Sequence, residues 1–389
     1  MRLLHTADWH IGRTIEGRDR LPEHDAFFDE LIQITKDESV DAVLMAGDVF
    51  DSVNPPARGE ELFYESMARL ADGGNIPIII IAGNHDHPER LSAARTLLRK
   101  QEIYIQGYPT LTPLRVPVRH KNTYLNIAAL PYPSESRLKE SFSHEEDELV
   151  HRDAYDAKIH HLFNTLTRSF SSDEIAIAMS HLFVAGGSGT DSERPIEVGG
   201  AYTVRATQLP DNVQYTALGH LHRPQNIKHA KAPARYAGSP LAFSFSETGY
   251  AKSVSIIDVE PGKTATINEV HLSTGKPLVK WHAEKGLSQV HQWMDEKKDT
   301  NAWIELEVHV TDSLTMEEIY KLKKAYPGIL TVRPIFPEFE YDYTVNRKHV
   351  PIEELFSQFY KRQTGGAMPD EAVTRLFLEL LNEEGGEPS

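Results

Sequence analysis

The sequence predicts an α/β layered fold, followed by a small α+β domain and a helical tail. Three observations carry this. A short β-branched or apolar run leads into a polar motif five times in the first two-thirds of the chain. Helical patterns, Ala26–Thr35 and Gly59–Ala71, lie between the early runs. After about residue 272 the pattern changes to a compact strand–helix alternation of its own. Runs of this length bounded by Gly read as buried strands, and strands alternating with helices build a layered core.

Taken in order, Arg2–Thr6 leads to Asp8-Trp9-His10, and Asp41–Ala46 leads to Gly47-Asp48-Val49-Phe50-Asp51. Ile76–Ala82 leads to Gly83-Asn84-His85-Asp86. Glu174–Met179 leads to Ser180-His181, and Val213–Leu218 to Gly219-His220-Leu221-His222. In layered α/β folds functional groups gather beyond the carboxyl ends of strands, so five distant segments are expected to converge. Residues 137–160 read as a charged connection. Ser253–Val259 and Ala265–His271 read as a hairpin about Pro261-Gly262. Next come Pro277–His282, Leu287–Glu296, Trp303–Val310, Met316–Tyr326 and Ile329–Pro334, alternately strand and helix. Pro334-Ile335-Phe336-Pro337 marks a boundary. Beyond it, Ile352–Tyr360 and Ala372–Leu381 read as amphipathic helices. Leu355, Phe356, Phe359 and Tyr360 form one apolar stripe; Val373, Leu376, Phe377, Leu380 and Leu381 form another. Such stripes pack on the body or on each other, or dock a partner. The expected domains are 1–272, 273–336 and 337–389.

The 389 residues carry 41 Lys plus Arg against 57 Asp plus Glu, a net charge of −16. That balance argues against a chain that coats nucleic acid by bulk charge. It leaves local basic surfaces open. There is no cysteine, which removes disulfides, thiolate metal sites and cysteine nucleophiles together. The N-terminus lacks the apolar core of a signal peptide, and no run is long enough to span a bilayer, so a soluble, cytoplasmic protein is expected.

A lone Asp-x-His or a lone histidine after a strand is more often structural. The ordered set changes that. Asp8, His10, Asp48, Asn84, His181, His220 and His222 offer two carboxylates, one amide and four imidazoles, without sulfur. These are too many donors for one tetrahedral ion and suit two adjacent divalent ions sharing a carboxylate. Oxygen and nitrogen donors suit Mn, Fe or Zn.

Asp-x-His, Gly-Asp-x-x-Asp, Gly-Asn-His-Asp, a later lone His and Gly-His-x-His, in this order, resemble the calcineurin-like metallophosphoesterase superfamily. The finer details resemble its bacterial DNA-nuclease subunits: His-Thr-Ala-Asp-Trp-His-Ile-Gly at the start, Gly-Asp-Val-Phe-Asp, and Gly238-Ser239-Pro240 after Gly-His-Leu-His. The resemblance covers residues 1 to about 270 by motif and the rest by architecture and helix character alone. It implies a four-layered β-sandwich flanked by helices, a DNA-facing cap and a tail that docks on the coiled coil of a separate ATPase. It also implies two Mn2+, with Fe2+ or Zn2+ as alternatives. Carried over by motif, Asp8, His10 and His222 hold one ion, Asn84, His181 and His220 the other, and Asp48 bridges. His85 becomes the general acid, with Asp51 as the group that orients it. Homodimerisation within a heterotetramer, ATP-dependent exonuclease action on duplex ends and endonuclease action on single strands and hairpins are further implications. So are roles in DNA repair, replication and recombination.

Around the motifs stand Arg13, Arg18, Arg20, Arg58 and Arg90, and an acid-free stretch from Arg223 to Ser246 adds Lys228, Lys231 and Arg235. These cations are expected to form a basic rim for a polyanion. Arg115, Arg119 and Lys121 make a second acid-free patch. Asp86 reads as a turn buttress, and His5, His24 and His87 as packing groups. The branch with Gly-Asp-x-Val-Asp-Arg-Gly, the phosphoprotein phosphatases, is disfavoured by Ser52 and Val53. A small-molecule or cyclic-nucleotide phosphodiesterase shares the metal chemistry and stands as the alternative, and a scaffold with a dead site is opposed by the full ligand set. No P-loop is present.

Overall fold

Four short strands, apolar on both sides, begin the first sheet: β1 (Arg2–Thr6), β2 (Ala42–Met45), β3 (Ile78–Ile81) and β4 (Ile103–Gln106). They pair in parallel in that order. Strands buried on both faces need a helix layer to connect them. Here α1 (Leu21–Asp37) and α2 (Ala57–Leu70) supply it. Phe27, Phe28 and Leu31 on α1, and Phe63, Met67 and Leu70 on α2, recur at helical spacing and face the sheet.

The second sheet has the order β11-β12-β10-β7-β6-β5. Its members are β5 (Leu114–Val118), β6 (Thr123–Leu130), β7 (Ile175–His181), β10 (Tyr215–Gly219), β11 (Gln225–Ile227) and β12 (Ala234–Tyr236). A two-stranded ribbon, β8 (Phe183–Val184) with β9 (Thr203–Val204), lies between β7 and β10 in sequence. The hairpin β13 (Ser253–Asp258) and β14 (Thr266–His271) then returns to pair antiparallel with β1. The two sheets bury one face of each against the other. Leu3, Leu44, Ile79 and Ile81 meet Val116, Ile127, Ile177 and Tyr215 there. The helix Tyr155–Thr167 closes the outer face of the second sheet through Ile159, Phe163 and Leu166. This is the four-layered sandwich flanked by helices that the motifs led us to expect.

These elements come from a computed structural model that describes residues 1–142, 155–193, 202–336, 351–364 and 367–384. Half of the charged connection expected at 137–160, residues 143–154, lies outside the described residues. The five motif-bearing strands stand where the sequence placed them. Strands β4, β5, β6, β8, β9, β11 and β12 were not anticipated, since none ends in a motif that draws the eye. Two of them are only three residues long.

The chain divides after Lys276 into two units. In the second, β15 (Leu278–Ala283), β16 (Trp303–His309) and β17 (Ile329–Ile335) form a parallel sheet. Val290 and Leu322, from the helices Leu287–Asp295 and Met316–Ala325, join Trp281, Ile304 and Leu306 in its core. Pro334 does not end the sheet as expected. It stands in β17 opposite Val308 on an edge strand, where its missing N–H costs no ladder bond. The tail helices run Ile352–Gln363 and Glu371–Glu384 and meet through Phe356 and Phe377, stacked at 4.0 Å.

Candidate metal centre

The strand ends place the candidate ligands by unusual backbone turns. Asp8, His10, Asp48 and His220 all hold positive φ, at 53°, 47°, 56° and 104°. A non-glycine residue in that region costs about 1–3 kcal/mol and persists where the surroundings over-determine it, typically at functional sites. Gly47, Gly83 and Gly219 flank these turns. A Cβ on Gly83 would overlap the Asp48 carboxylate and backbone N, and one on Gly47 would lie 2.8 Å from His181 Cγ. The tight turn therefore lets His181 and Asp48 sit against backbone.

Six of the seven candidate ligands meet in two adjoining groups. In the first, Asp8, His10 and His222 converge, with His10 Nε2 3.0 Å from His222 Nε2. In the second, His181 Nε2 lies 2.8 Å from Asn84 Oδ1 and 3.3 Å from Asp48 Oδ2, and Asp8 stands close by. Asp48 Oδ2 is also 3.7 Å from His10 Nε2, so this carboxylate stands between the groups. His220 joins through its ring, 5.4 Å from that of His181, and its backbone N–H donates to Asp8 Oδ1 at 2.9 Å. Asp8, His10, His181 and His222 are fully or almost fully buried.

Counting protons shows what such a site lacks. His181 Nδ1 donates to the Ala46 carbonyl at 2.9 Å, which leaves Nε2 to face two oxygen acceptors. Asn84 Nδ2 is buried without a partner. Acceptors converging in a dry place are costly unless a cation joins them. The titration directions agree. Burial pushes the Asp8 carboxyl up to about 6 and the His10 imidazole down to about 3. Burial also opposes charge on His181, yet the adjoining Asp48 lifts its imidazole to about 9. Despite burial, His181 holds the Asp48 carboxyl well below its ordinary range. The second group thus draws positive charge to the point where Asp48, Asn84 and His181 meet. Seven N/O donors with paired carboxylates fit divalent cations.

The calcineurin-like phosphoesterase profile matches residues 1–224, more than half of the chain. The chain belongs to that family. It is also 57% identical over 383 residues to the SbcD subunit of the SbcCD nuclease of Bacillus subtilis (strain 168), covering 98% of each chain. Among solved structures, a protein of Thermus thermophilus aligns with a TM-score of 0.37 at 13% identity, over 69% of this chain and 98% of its own. A dimetal phosphatase from Danio rerio aligns with a TM-score of 0.36 at 13% identity, over 68% and 98%. Among the described residues no helix is long and apolar enough to cross a membrane.

This family member departs from the expected pairing at Asp51. The Asp51 carboxylate does not bond His85. It stands 3.4 Å from His10 Nδ1 and 3.7 Å from Arg13. His85 Nδ1 meets the Asp51 backbone carbonyl at 2.7 Å instead. A carbonyl only accepts, so His85 carries its proton on Nδ1, and the ring is half-exposed, edge-on to His10 at 4.8 Å. Asp86 is the expected buttress: it accepts from the N–H groups of Val49, Phe50 and Gly83 at 3.1, 3.0 and 2.8 Å. His5 is buried on the Tyr215 hydroxyl and His24 on the Trp9 carbonyl, while His87 is exposed.

The basic rim needs two corrections. Arg20 is fully buried, its guanidinium bonded to Glu23 and the Ala242 carbonyl. Arg235 is buried too, bonded to Ser255, Asn226 and Glu269. Both tie elements together and offer nothing to a polyanion. Arg13 lies over the Phe243 ring and donates to the Ser192 carbonyl. Arg90 pairs with Glu60 and Lys231 with Asp211. Arg18, Arg58, Arg223 and Lys228 are exposed and make no ion pair among the described residues. The second patch is neutralised: Arg115, Arg119 and Lys121 face Glu174, Glu102 and Asp41. On the tail, Leu355, Tyr360 and the Phe356–Phe377 stack are partly covered, while Phe359, Leu376 and Leu380 are more than half exposed.

The sequence reading missed several supports. Arg137 donates to the Gly83 and Asp86 carbonyls at 2.8 and 2.6 Å, bracing the turn that carries Asn84 and His85. Ser192, Glu193, Glu247 and Lys252 surround His222. Nothing in their local sequence announces this, because their partners lie 25 to 54 positions away.

Proposed function

We propose that this chain is the nuclease subunit of an SbcCD-type complex, hydrolysing DNA phosphodiesters with two Mn2+ ions. The convergence of Asp8, His10, Asp48, Asn84, His181 and His222, in two groups sharing carboxylates, is the observation that carries it. Near-full-length similarity to the SbcD nuclease of Bacillus subtilis supports DNA as the substrate. Divalent ions in such a site supply Lewis acidity toward a phosphate oxygen and toward water. The chain's own part is to hold Asp48 between the two groups, to engage Nδ1 of His181 and of His222 so that Nε2 faces the centre, and to place His85. With Nδ1–H given to the Asp51 carbonyl, His85 acts as a general acid in its imidazolium form, which carries a second proton on the open Nε2 and passes that proton to the departing oxygen. Arg18, Arg58, Arg223 and Lys228 remain as contacts for the DNA backbone.

The partner is an SbcC-type ATPase, docked on the exposed Phe359, Leu376 and Leu380 of the tail. ATP-dependent exonuclease and single-strand or hairpin endonuclease action belong to that assembly, acting in the cytoplasm in DNA repair, replication and recombination. The domain roles follow as nuclease (1–272), cap (273–336) and docking segment (337–389).

Together with its SbcC-type partner and ATP, the chain should cleave hairpin DNA with Mn2+ and also hydrolyse bis-p-nitrophenyl phosphate, and a chelator should abolish both. DNA binding should weaken steeply as salt rises, since counterions are released at each phosphate contact. Hydrolysis of the small diester with no cleavage of DNA would favour the phosphodiesterase alternative and remove the nuclease reading. Truncation after Phe336 should leave small-diester hydrolysis intact and abolish co-purification with the ATPase. Undiminished co-purification would place the docking surface elsewhere.

A further inference from the structure

Proton accounting around His222 has only one solution. The His222 ring meets Ser192 Oγ through Nδ1 at 2.6 Å. Ser192 Oγ in turn meets Thr190 Oγ1 at 2.8 Å, where either hydroxyl could donate. Thr190 Oγ1 stands 2.7 Å from Glu193 Oε2, and a carboxylate only accepts. Thr190 therefore spends its single proton on Glu193. Ser192 must then donate to Thr190, and it can only accept from His222. The chain runs His222 Nδ1–H to Ser192, Ser192 to Thr190, and Thr190 to Glu193.

The same carboxylate closes the loop. Glu193 Oε1 accepts the His222 backbone N–H at 2.8 Å, and Oε2 accepts the Thr190 N–H at 2.6 Å. Behind the residue, Lys252 Nζ donates to the His222 carbonyl at 3.2 Å and to Ser239 Oγ at 2.8 Å, and pairs with the buried Glu247. Arg13 fixes the strap from the other side through the Ser192 carbonyl at 2.9 Å.

We infer that Thr190, Ser192 and Glu193 are positioning residues that lock His222 in the Nδ1–H form and aim its bare Nε2 at the Asp8–His10 group. The inference rests on the two-ion reading above. A histidine ligand needs one nitrogen free, and the hydrogen bond at the other nitrogen decides which. His181 solves the same problem with the Ala46 carbonyl, a backbone group that no substitution removes. His222 depends on side chains, so its site can be weakened by replacing those side chains without touching a ligand. A hydroxyl chain also carries a direction that a lone serine would lack, because a free serine hydroxyl could donate to Nδ1 and invert the tautomer.

The test is a Mn2+ titration of the full chain, read by calorimetry and by the count of free ion. Wild type is expected to take up two ions. Ser192→Ala and Thr190→Val should each weaken one of the two by about 10–100-fold, the range for lost outer hydrogen bonds to a ligand, and leave the other unchanged. Thr190→Ser should restore the weakened site, and the melting temperature should stay close to wild type in all three. Two ions bound with wild-type affinity in both Ser192→Ala and Thr190→Val would overturn the inference. Equal weakening of both ions would also overturn it, as a general loosening of the centre. Should the wild type bind no ion, the two-ion reading itself falls, and the titration distinguishes that case.

Discussion

His85→Ala is expected to lower DNA cleavage by about 10²–10⁴-fold, the usual contribution of a positioned general acid, while both ions stay bound. The ring's role follows from two contacts. Its Nδ1–H is committed to the Asp51 carbonyl, and its backbone N–H, 2.8 Å from Asp48 Oδ1, survives truncation to alanine. Removal of the imidazole therefore leaves Asp48 supported and takes away only the proton donor. The leaving group offers a sharp discrimination. A DNA alkoxide needs a proton as it departs, whereas p-nitrophenolate leaves readily without one. His85→Ala should thus spare bis-p-nitrophenyl phosphate hydrolysis relative to DNA cleavage. Equal loss on the two substrates would show that His85 does something other than protonate the leaving oxygen.

Asp51 gives the matching contrast. Because His85 leans on the Asp51 main chain, Asp51→Ala keeps that contact and removes the carboxylate near His10 and Arg13. Its effect is expected in ion affinity at the Asp8–His10–His222 group, with the DNA-to-small-diester ratio unchanged. The family resemblance implied a pairing of Asp51 with His85. It had no means of saying which part of Asp51 makes the contact, since that depends on how the strand end turns.

The same boundary separates what was legible elsewhere. The ligand set could be read because the chemistry demands side chains at strand ends, and each motif sits within a few residues of an apolar run. The motif-bearing strands and the helices between the early ones follow from the same alternation, whereas the two-sheet sandwich was an implication of the family resemblance. The rim residues were harder. Arg20 and Arg235 look like free cations in sequence, yet the Ala242 carbonyl that Arg20 reaches is 222 positions away and the Glu269 that Arg235 reaches is 34 away. The Thr190–Ser192–Glu193 chain reads as a polar loop until His222, 30 residues on from Ser192, closes it. Local pattern reveals which groups a segment offers. Only the fold decides which of them are already taken.

Gly219→Ala should be the most damaging of the small substitutions. Gly219 ends β10 in register with His181 on β7, at the point where the first sheet's Ala46–Gly47 turn crosses over. A Cβ there would fall far inside contact distance of the Ala46 carbonyl oxygen and 2.9 Å from His181 Nδ1. Both neighbours are fixed: one is backbone, and the other is a buried ring bonded to that backbone. Overpacking of this kind costs about 1–3 kcal/mol, since the core has no void to absorb a methyl group. Relief requires moving the Ala46 carbonyl away, and that breaks the bond that holds His181 in its Nδ1–H form. The expected result is a lower melting temperature together with loss of the ion held at Asp48, Asn84 and His181, and turnover falling with it. Gly249→Ala is the control, because nothing lies within 4 Å of the added methyl and φ is not positive. It should match wild type in melting temperature, ion uptake and cleavage. If Gly219→Ala matched it as well, the His181 tautomer would not depend on the junction between the two sheets, and the account of how this fold prepares its second ion site would have to be abandoned.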